Sequence, residues 1–219
     1  MKPAFAAALA LALAQPAAGG AWLEHPGQGF ASASATYRHT GSTTEHELGY
    51  YGAYGISPKL TLGVDLSQTA DVSGHALVFA RLPLRKGDRY RLAVEAGAGG
   101  NHVRGLWQLM QKTTLSYGRS IKTGRGSGWL AIDAAYELRN SGQEAIWKLD
   151  TTIGLNRPGK AAPMLQAEAS KPDGGQFSYT VTPALRYPLK HRRELLIGLE
   201  YRQAGQRSLG LKLGLWQKF

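Results

Sequence analysis

The last eleven residues of the chain, Leu209–Phe219, show the strictest pattern in the sequence. Large apolar side chains alternate with small or charged ones. The apolar set is Leu209, Leu211, Leu213, Leu215 and Phe219, and the set between them is Gly210, Lys212, Gly214 and Lys218. A period of two places alternate side chains on opposite faces of a β-strand. The pattern therefore predicts a strand with one largely apolar face that ends on an aromatic residue.

The same alternation recurs along the chain and predicts an all-β fold of about twelve strands. The predicted strands are Gly29–Thr40, Glu45–Ile56, Lys59–Thr69, Gly74–Leu84, Arg89–Gly99, Leu109–Ile121, Gly128–Arg139, Ala145–Asn156, Ala162–Ser170, Gln176–Leu189, Arg193–Gln203 and Leu209–Phe219. Short turn-forming stretches such as Lys86-Gly87-Asp88 and Asn140-Ser141-Gly142 separate them. Short connections predict antiparallel neighbours. Pro83 falls near a strand end, whereas Pro183 falls within a strand and predicts a bulge or a different boundary there.

The first 21 residues predict a secretory signal peptide. Lys2 is followed by an apolar run over residues 4–14 and then by small residues, so cleavage is expected between residues 14 and 21. Residues 22–219 then form a single domain. The chain has no cysteine, which excludes a disulfide scaffold, and no later apolar run is long enough for a membrane helix.

These features together resemble the outer-membrane β-barrels of Gram-negative bacteria. The resemblance rests on the amphipathic strands, the leader, the final Phe219, and aromatic residues near strand ends on the apolar faces. Those aromatic residues are Tyr37, Tyr54, Tyr117, Tyr136, Trp147, Tyr187 and Tyr201. The resemblance implies an antiparallel up-and-down transmembrane barrel in the outer membrane, in contact with its lipid, with Phe219 as part of the C-terminal signal read by the barrel-insertion machinery. Periodicity alone also fits a soluble periplasmic β-sandwich that acts as a binding module.

In such a barrel the polar faces line the lumen, and their charges nearly balance. The predicted lumen-lining residues are Glu47, Asp65, Arg81, Arg91, Glu95, Asp133, Glu137, Arg139, Lys148, Asp150, Glu168, Arg186, Glu200, Arg202 and Lys212, together with Arg38. Buried charges must be paired or hydrated. The lumen is therefore either cross-linked by ion pairs or a narrow wet pore.

The formal charge of +11 is concentrated in every second turn. These turns contain Lys59; Arg85, Lys86 and Arg89; Arg119, Lys122 and Arg125; Arg157 and Lys160; and Lys190, His191, Arg192 and Arg193. With both termini periplasmic, this rim would contact anionic phospholipid or an acidic periplasmic partner, or simply be solvated. Export argues against nucleic acid as the partner.

No phosphate loop, zinc spacing or nucleophile elbow occurs, so no cofactor and no metal is expected. Asp65, Ser67 and His75 form the best catalytic candidate, because Ser67 and His75 can be cross-strand neighbours on the lumen face. The leading hypothesis is a passive barrel, either a narrow channel for small solutes or a structural barrel, without enzymatic activity. The alternative is an outer-membrane hydrolase that modifies lipid or lipopolysaccharide. Short outer loops argue against an adhesin or a gated receptor.

Overall fold

A computed structural model describes residues 20–41, 43–70, 72–123 and 126–219. The predicted leader lies outside the described residues except for Gly20 and Ala21, and so does Arg125 of the basic turns. Twelve strands were found: β1 Gly29–Thr40, β2 Thr43–Ser57, β3 Leu60–Thr69, β4 Ser73–Lys86, β5 Tyr90–Val103, β6 Leu106–Thr123, β7 Gly126–Arg139, β8 Glu144–Asn156, β9 Ala162–Pro172, β10 Ser178–Pro188, β11 Arg193–Ala204 and β12 Gln206–Lys218. A single 3₁₀ turn, Asn140–Gly142, joins β7 to β8.

The strands form one closed antiparallel barrel in which each strand pairs with its sequence neighbours. Closure comes from β1 and β12, whose register sets Phe30 opposite Lys218 and His39 opposite Leu209. Beyond this ladder, the Gly29 amide donates to the Phe219 carbonyl at 2.7 Å, and the Phe219 amide donates to the Gly29 carbonyl at 3.0 Å. Closure satisfies the backbone groups that an edge strand would leave unpaired.

The structure confirms the predicted barrel, and the sandwich alternative is wrong because the twelve strands close into a single layer. Most strand bounds fall within three residues of those predicted. The largest differences lie at the hairpin between β5 and β6. There Asn101, His102 and Val103 pair with Gln108, Trp107 and Leu106, which extends both strands to a tight turn at Arg104-Gly105.

The expectation for Pro183 is wrong, whereas Pro83 lies near the end of β4 as predicted. The ladder around Pro183 keeps its register on both sides, so the predicted bulge is absent there. The pairing with β11 instead omits Thr182 and Pro183, and it resumes in the same register at Ala184. A register shift does occur between Pro83 and Arg85 in β4. Proline lacks the amide that a ladder needs, and both responses accommodate that loss.

The outer surface of the barrel is apolar and its interior is charged. Val78, Leu199 and Leu209 are 64–68% exposed, whereas Arg81 and Glu137 are 4% and 0% exposed. This arrangement inverts that of a soluble protein and suits a wall bathed in lipid. Among the described residues, no helix has the length and apolar character required to cross a membrane.

Aromatic residues stand on the outer surface near the strand ends, as predicted. Tyr37, Tyr54, Trp147 and Tyr187 are exposed, and the Tyr136 and Trp147 rings lie 4.6 Å apart between centroids. Amphipathic rings are favoured at the level of lipid headgroups.

The rim of the barrel that carries Gly29 and Phe219 is called the terminal end, and the opposite rim is called the distal end.

Candidate functional site: a charged lumen divided across its width

A vestibule of about 290 Å³ occupies the distal half of the lumen. Charged residues of both signs, hydroxyl-bearing residues and a few apolar residues line it. The charged lining residues are Arg38, Glu47, Arg139, Lys148, Asp150, Glu168 and Arg202. The period of two along the strands brings these side chains inward, since alternate residues of each strand face the lipid.

Arg38 anchors one wall of the vestibule. Its guanidinium contacts Glu47 at 2.7 Å and Glu45 at 3.0 Å, and it also donates to Glu200. Arg38 and Glu200 are both buried. Glu200 belongs to β11, so this contact spans 162 positions in the sequence. A buried arginine with three carboxylates as partners satisfies the requirement that buried charge be paired.

Glu137 is the centre of a second network. It is fully buried, and its carboxylate receives Arg139 Nη2 at 2.7 Å and Lys148 Nζ at 3.1 Å. Lys112 lies between this network and Asp65, with its Nζ 3.0 Å from Asp65 Oδ2 and 4.0 Å from Glu137 Oε1. The distal lumen is thus cross-linked by ion pairs around a remaining open space.

One strip of the wall is uniformly acidic. Asp133, Asp150 and Glu168 are direct neighbours across β7, β8 and β9. Like charges opposite one another in a ladder are destabilising. Lys212 Nζ, 3.7 Å from Glu168, is the nearest cation in an ion pair with this strip among the described residues. The strip concentrates three carboxyl groups in one part of the wall, although the described residues include no cluster suited to hold a metal ion.

Aromatic rings and two arginines fill the terminal half of the lumen. Arg186 lies 5.9 Å from the Trp129 ring centroid and 5.4 Å from that of Trp216. Arg81 lies 5.4 Å from the Phe79 ring and holds Glu95 at 2.6 Å. Stacking of guanidinium groups on aromatic faces stabilises both without requiring water.

The segment Gly20–Gln28, here called the inner segment, enters this aromatic layer from the terminal end. The Trp22 ring meets the Trp129 ring edge-on at 6.4 Å, and Arg81 Nη1 donates to the Trp22 carbonyl at 3.5 Å. The Glu24 amide donates to Thr61 Oγ1 at 3.1 Å. The backbone of Gly55 accepts from Gly27 and donates to Gln28, at 3.0 Å and 2.9 Å. These bonds fix the inner segment to the barrel wall.

The inner segment separates the vestibule from the terminal mouth. Two mouth cavities of about 410 Å³ each are lined partly by Glu24, and neither shares a lining residue with the vestibule. Burial raises the pKa of Glu24, an effect opposed by the nearby charges of Lys218, Arg81 and His25. The docked segment therefore favours the neutral form of this carboxyl group.

The structure brings the three candidate catalytic residues together on the lumen face. Ser67 and His75 are opposite each other in the ladder, as predicted, and both line the vestibule. His75 Nε2 lies 3.3 Å from Asp65 Oδ1. The second oxygen of Asp65 is bound to Lys112. Asp65 therefore contacts the His75 imidazole with one oxygen and forms an ion pair with Lys112 through the other.

Most of the other predicted lumen residues also meet a partner of opposite charge. Arg186 contacts Glu194 at 2.9 Å, and Arg202 contacts Glu45 at 3.6 Å. Arg91 lies at the terminal mouth instead, where its guanidinium donates to the carbonyls of Tyr90, at 2.8 Å, and Gly87. Arg91 thus braces a turn.

Sequence reasoning missed the inner segment and Lys112. Lys112 lies in β6, whose alternation is the least regular. It is directly opposite Glu137 in the ladder, so the two side chains lie on the same, lumen-facing side of the sheet. Trp129 lies four positions before Asp133 on β7, and Trp216 lies four positions after Lys212 on β12. An even separation along a strand places two side chains on the same face, so the alternation would have predicted that both tryptophans face the lumen. No pattern in residues 20–28 signals their position.

Comparison with known proteins gives similarity of structure only. No protein-family model matches the chain. No curated protein matches it by sequence. Among solved structures, the NanC porin has a TM-score of 0.63 at 9% identity, covering 84% of this chain and 98% of the porin. The KdgM porin has a TM-score of 0.61 at 12% identity, covering 86% and 99%. Together with the apolar exterior, these likenesses define the chain as a β-barrel of the outer-membrane type.

Proposed function

We propose that this protein is a narrow, passive channel of the outer membrane, and that the inner segment limits the passage of solutes through it. The observation that carries the proposal is a hydrophilic vestibule in the distal half of the lumen that shares no lining residue with the two cavities at the terminal mouth, where the inner segment packs into the aromatic layer. A barrel with only a structural role has no need for a polar cavity of this size. The fold shared with the NanC and KdgM porins supports the same conclusion.

The lining favours small hydrophilic solutes with little discrimination by charge. Four cations and three carboxylates line the vestibule, so neither sign of charge dominates. Several of these groups are also neutralised by neighbours, as Arg38 is by Glu47 and Arg139 is by Glu137. Strong selectivity requires a wall of one sign, because only then does the field concentrate one class of ion.

Single-channel recording in planar bilayers tests this proposal. Gly55→Ala is the informative variant, since a Cβ on Gly55 would lie 2.2 Å from the His25 carbonyl oxygen and 2.5 Å from that of Glu24. The inner segment must then move, and we expect the conductance to exceed that of the wild type. Trp22→Ala should act in the same direction by removing the ring that packs on Trp129.

Gly49→Ala is the matched control. Its Cβ would meet only the hydroxyl of Ser34, at 2.8 Å, and that side chain can rotate away. We expect wild-type conductance from this variant. Absence of conductance steps in the wild type and in all variants would contradict the channel and favour a purely structural barrel.

The same proposal assigns Asp65, Ser67 and His75 to the ion network of the lumen rather than to hydrolysis. Support comes from Lys112, whose bond to Asp65 offsets the charge that a catalytic dyad would use to activate histidine. Ester hydrolysis by the purified barrel that disappears in Ser67→Ala would overturn this assignment.

A further inference from the structure

The terminal rim carries a ring of exposed basic side chains. The exposed members are Lys59, Arg85, Lys86, Arg89, Arg119, Lys122, Arg157, Lys160, Lys190, Arg192 and Arg193. Acidic side chains are scarce on this rim: Asp88 is exposed beside Arg89, and Glu194 is already bound to Arg186. Most of the net charge of the protein is therefore displayed at a single level of the barrel.

At one place the ring borders an apolar groove on the outer wall. The groove has a volume of about 330 Å³ and lies over β6 and β7. Arg89, Arg119 and Lys122 line it together with Ser120, and Ile121 and Leu130 supply its apolar surface. Three cations thus border a hydrophobic floor.

The backbone holds these groups in register. The Ser120 amide donates to the Arg89 carbonyl at 2.9 Å, which fixes Arg89 beside Arg119. Arg119 is paired across the sheet with Leu130 on one side and with Tyr90 on the other. The Tyr90 and Tyr117 rings stack at 6.4 Å on the outer face. Tyrosine pairs of this kind belong to the headgroup level of a bilayer, so the groove opens toward lipid.

The three cations have room for a ligand. Arg89, Arg119 and Lys122 are exposed, and none of them is in an ion pair with another described residue. A phosphate oxygen accepts strongly from a guanidinium, and one arginine can bind two oxygens of the same group. Anionic headgroups also attract basic side chains at the membrane surface.

We infer that this groove binds an anionic glycerophospholipid of the leaflet at the terminal end. The headgroup phosphate lies among Arg89, Arg119 and Lys122, and an acyl chain starts against Leu130 and runs past Tyr117 and Ile132, the next outward-facing positions toward the bilayer centre. An acidic protein partner fits less well, because the floor of the groove is apolar and at the level of the aromatic rings. With periplasmic termini, the lipid comes from the inner leaflet and not from lipopolysaccharide.

Native mass spectrometry of the full barrel in detergent tests this inference. Dioleoylphosphatidylglycerol and dioleoylphosphatidylcholine, which share acyl chains, are added in equal amounts, and retained lipid is counted. We expect the wild type to retain phosphatidylglycerol preferentially. The triple variant Arg89→Gln, Arg119→Gln, Lys122→Gln should lose that preference by roughly tenfold or more, and Arg119→Gln alone by about fivefold.

A second triple variant, Arg157→Gln, Lys160→Gln, Lys190→Gln, removes equal charge from the same rim but borders no part of the groove. It should keep the preference of the wild type. Equal losses in the two triple variants would overturn the site in favour of general attraction to the ring. A wild type without preference for phosphatidylglycerol would also overturn it. Heat-modifiable gel mobility confirms that each variant is folded, and Arg119→Gln provides the test if a triple variant is not.

Discussion

Arg81 shows how a single side chain joins several parts of the lumen. Its guanidinium binds the Glu95 carboxylate at 2.6 Å and the Tyr51 hydroxyl at 2.6 Å, and it reaches the Trp22 carbonyl. Arg81 is 4% exposed and Glu95 is 8% exposed. At such burial, removing one partner leaves the other charge uncompensated in a medium of low dielectric constant.

We expect Arg81→Gln to lower the free energy of unfolding by about 3–5 kcal/mol, because Glu95 is left buried without its cation. Urea unfolding in lipid vesicles, followed by tryptophan fluorescence, measures the change. Lys212→Gln serves as the control, since the side chain of its partner Glu168 is 47% exposed and lies 3.7 Å away. The control should lose less than about 1 kcal/mol. Equal losses at the two positions would contradict the importance of burial.

The pairing of Arg81 with Glu95 follows from the sequence, whereas the pairing of Arg38 with Glu200 does not. Arg81 and Glu95 both lie on the polar faces of adjacent strands and are directly opposite each other in the ladder. Arg38 and Glu200 meet only because β12 lies between β1 and β11 after closure. The strand pattern identifies inward-facing residues, but contacts across the lumen depend on the shape of the closed barrel.

At the level of elements, the strands were predictable and the inner segment was not. Each strand repeats apolar and polar residues with a period of two, a signal that survives in a single sequence. The inner segment has no such period, and its position depends on side chains from several strands, such as Thr61, Arg81 and Trp129. Tertiary contacts of this kind leave no local pattern.

Glu24 should make the inner segment sensitive to pH. Because burial raises its pKa in the docked segment, docking is strongest below the ordinary pKa of glutamate, about 4.3, and weakens as pH rises through the raised pKa. We expect channel conductance to increase with pH over that interval. Glu24→Gln, which keeps the shape and cannot ionise, should give a flat response. A variant that retains the slope of the wild type would show that another group is responsible.

The whole molecule depends on the seam between the first and last strands. Phe219 contributes in two ways, since its backbone pairs with Gly29 while its ring covers the same glycine. The predicted role of Phe219 in recognition by the insertion machinery concerns the side chain alone. The backbone pairing does not require an aromatic ring.

Phe219→Ala should therefore separate assembly from stability. In cells we expect much less of the heat-modifiable, folded form in the membrane fraction, because the terminal aromatic is the predicted recognition element. Refolding of the same variant into detergent should proceed nearly as for the wild type, because the pairs between β1 and β12 remain. Equal defects in cells and in detergent would indicate that the ring acts in folding and not in recognition.

The contacts of the inner segment also impose an order on biogenesis. Residues 22–28 directly follow the predicted leader, yet the surface that binds the inner segment is assembled from β2, β3, β4 and β7. That surface exists only after at least β2–β7, half of the twelve strands, have paired. The inner segment therefore docks late, after β2–β7 have assembled, and a barrel that closes before docking lacks the contacts of Trp22 and Glu24 with its wall.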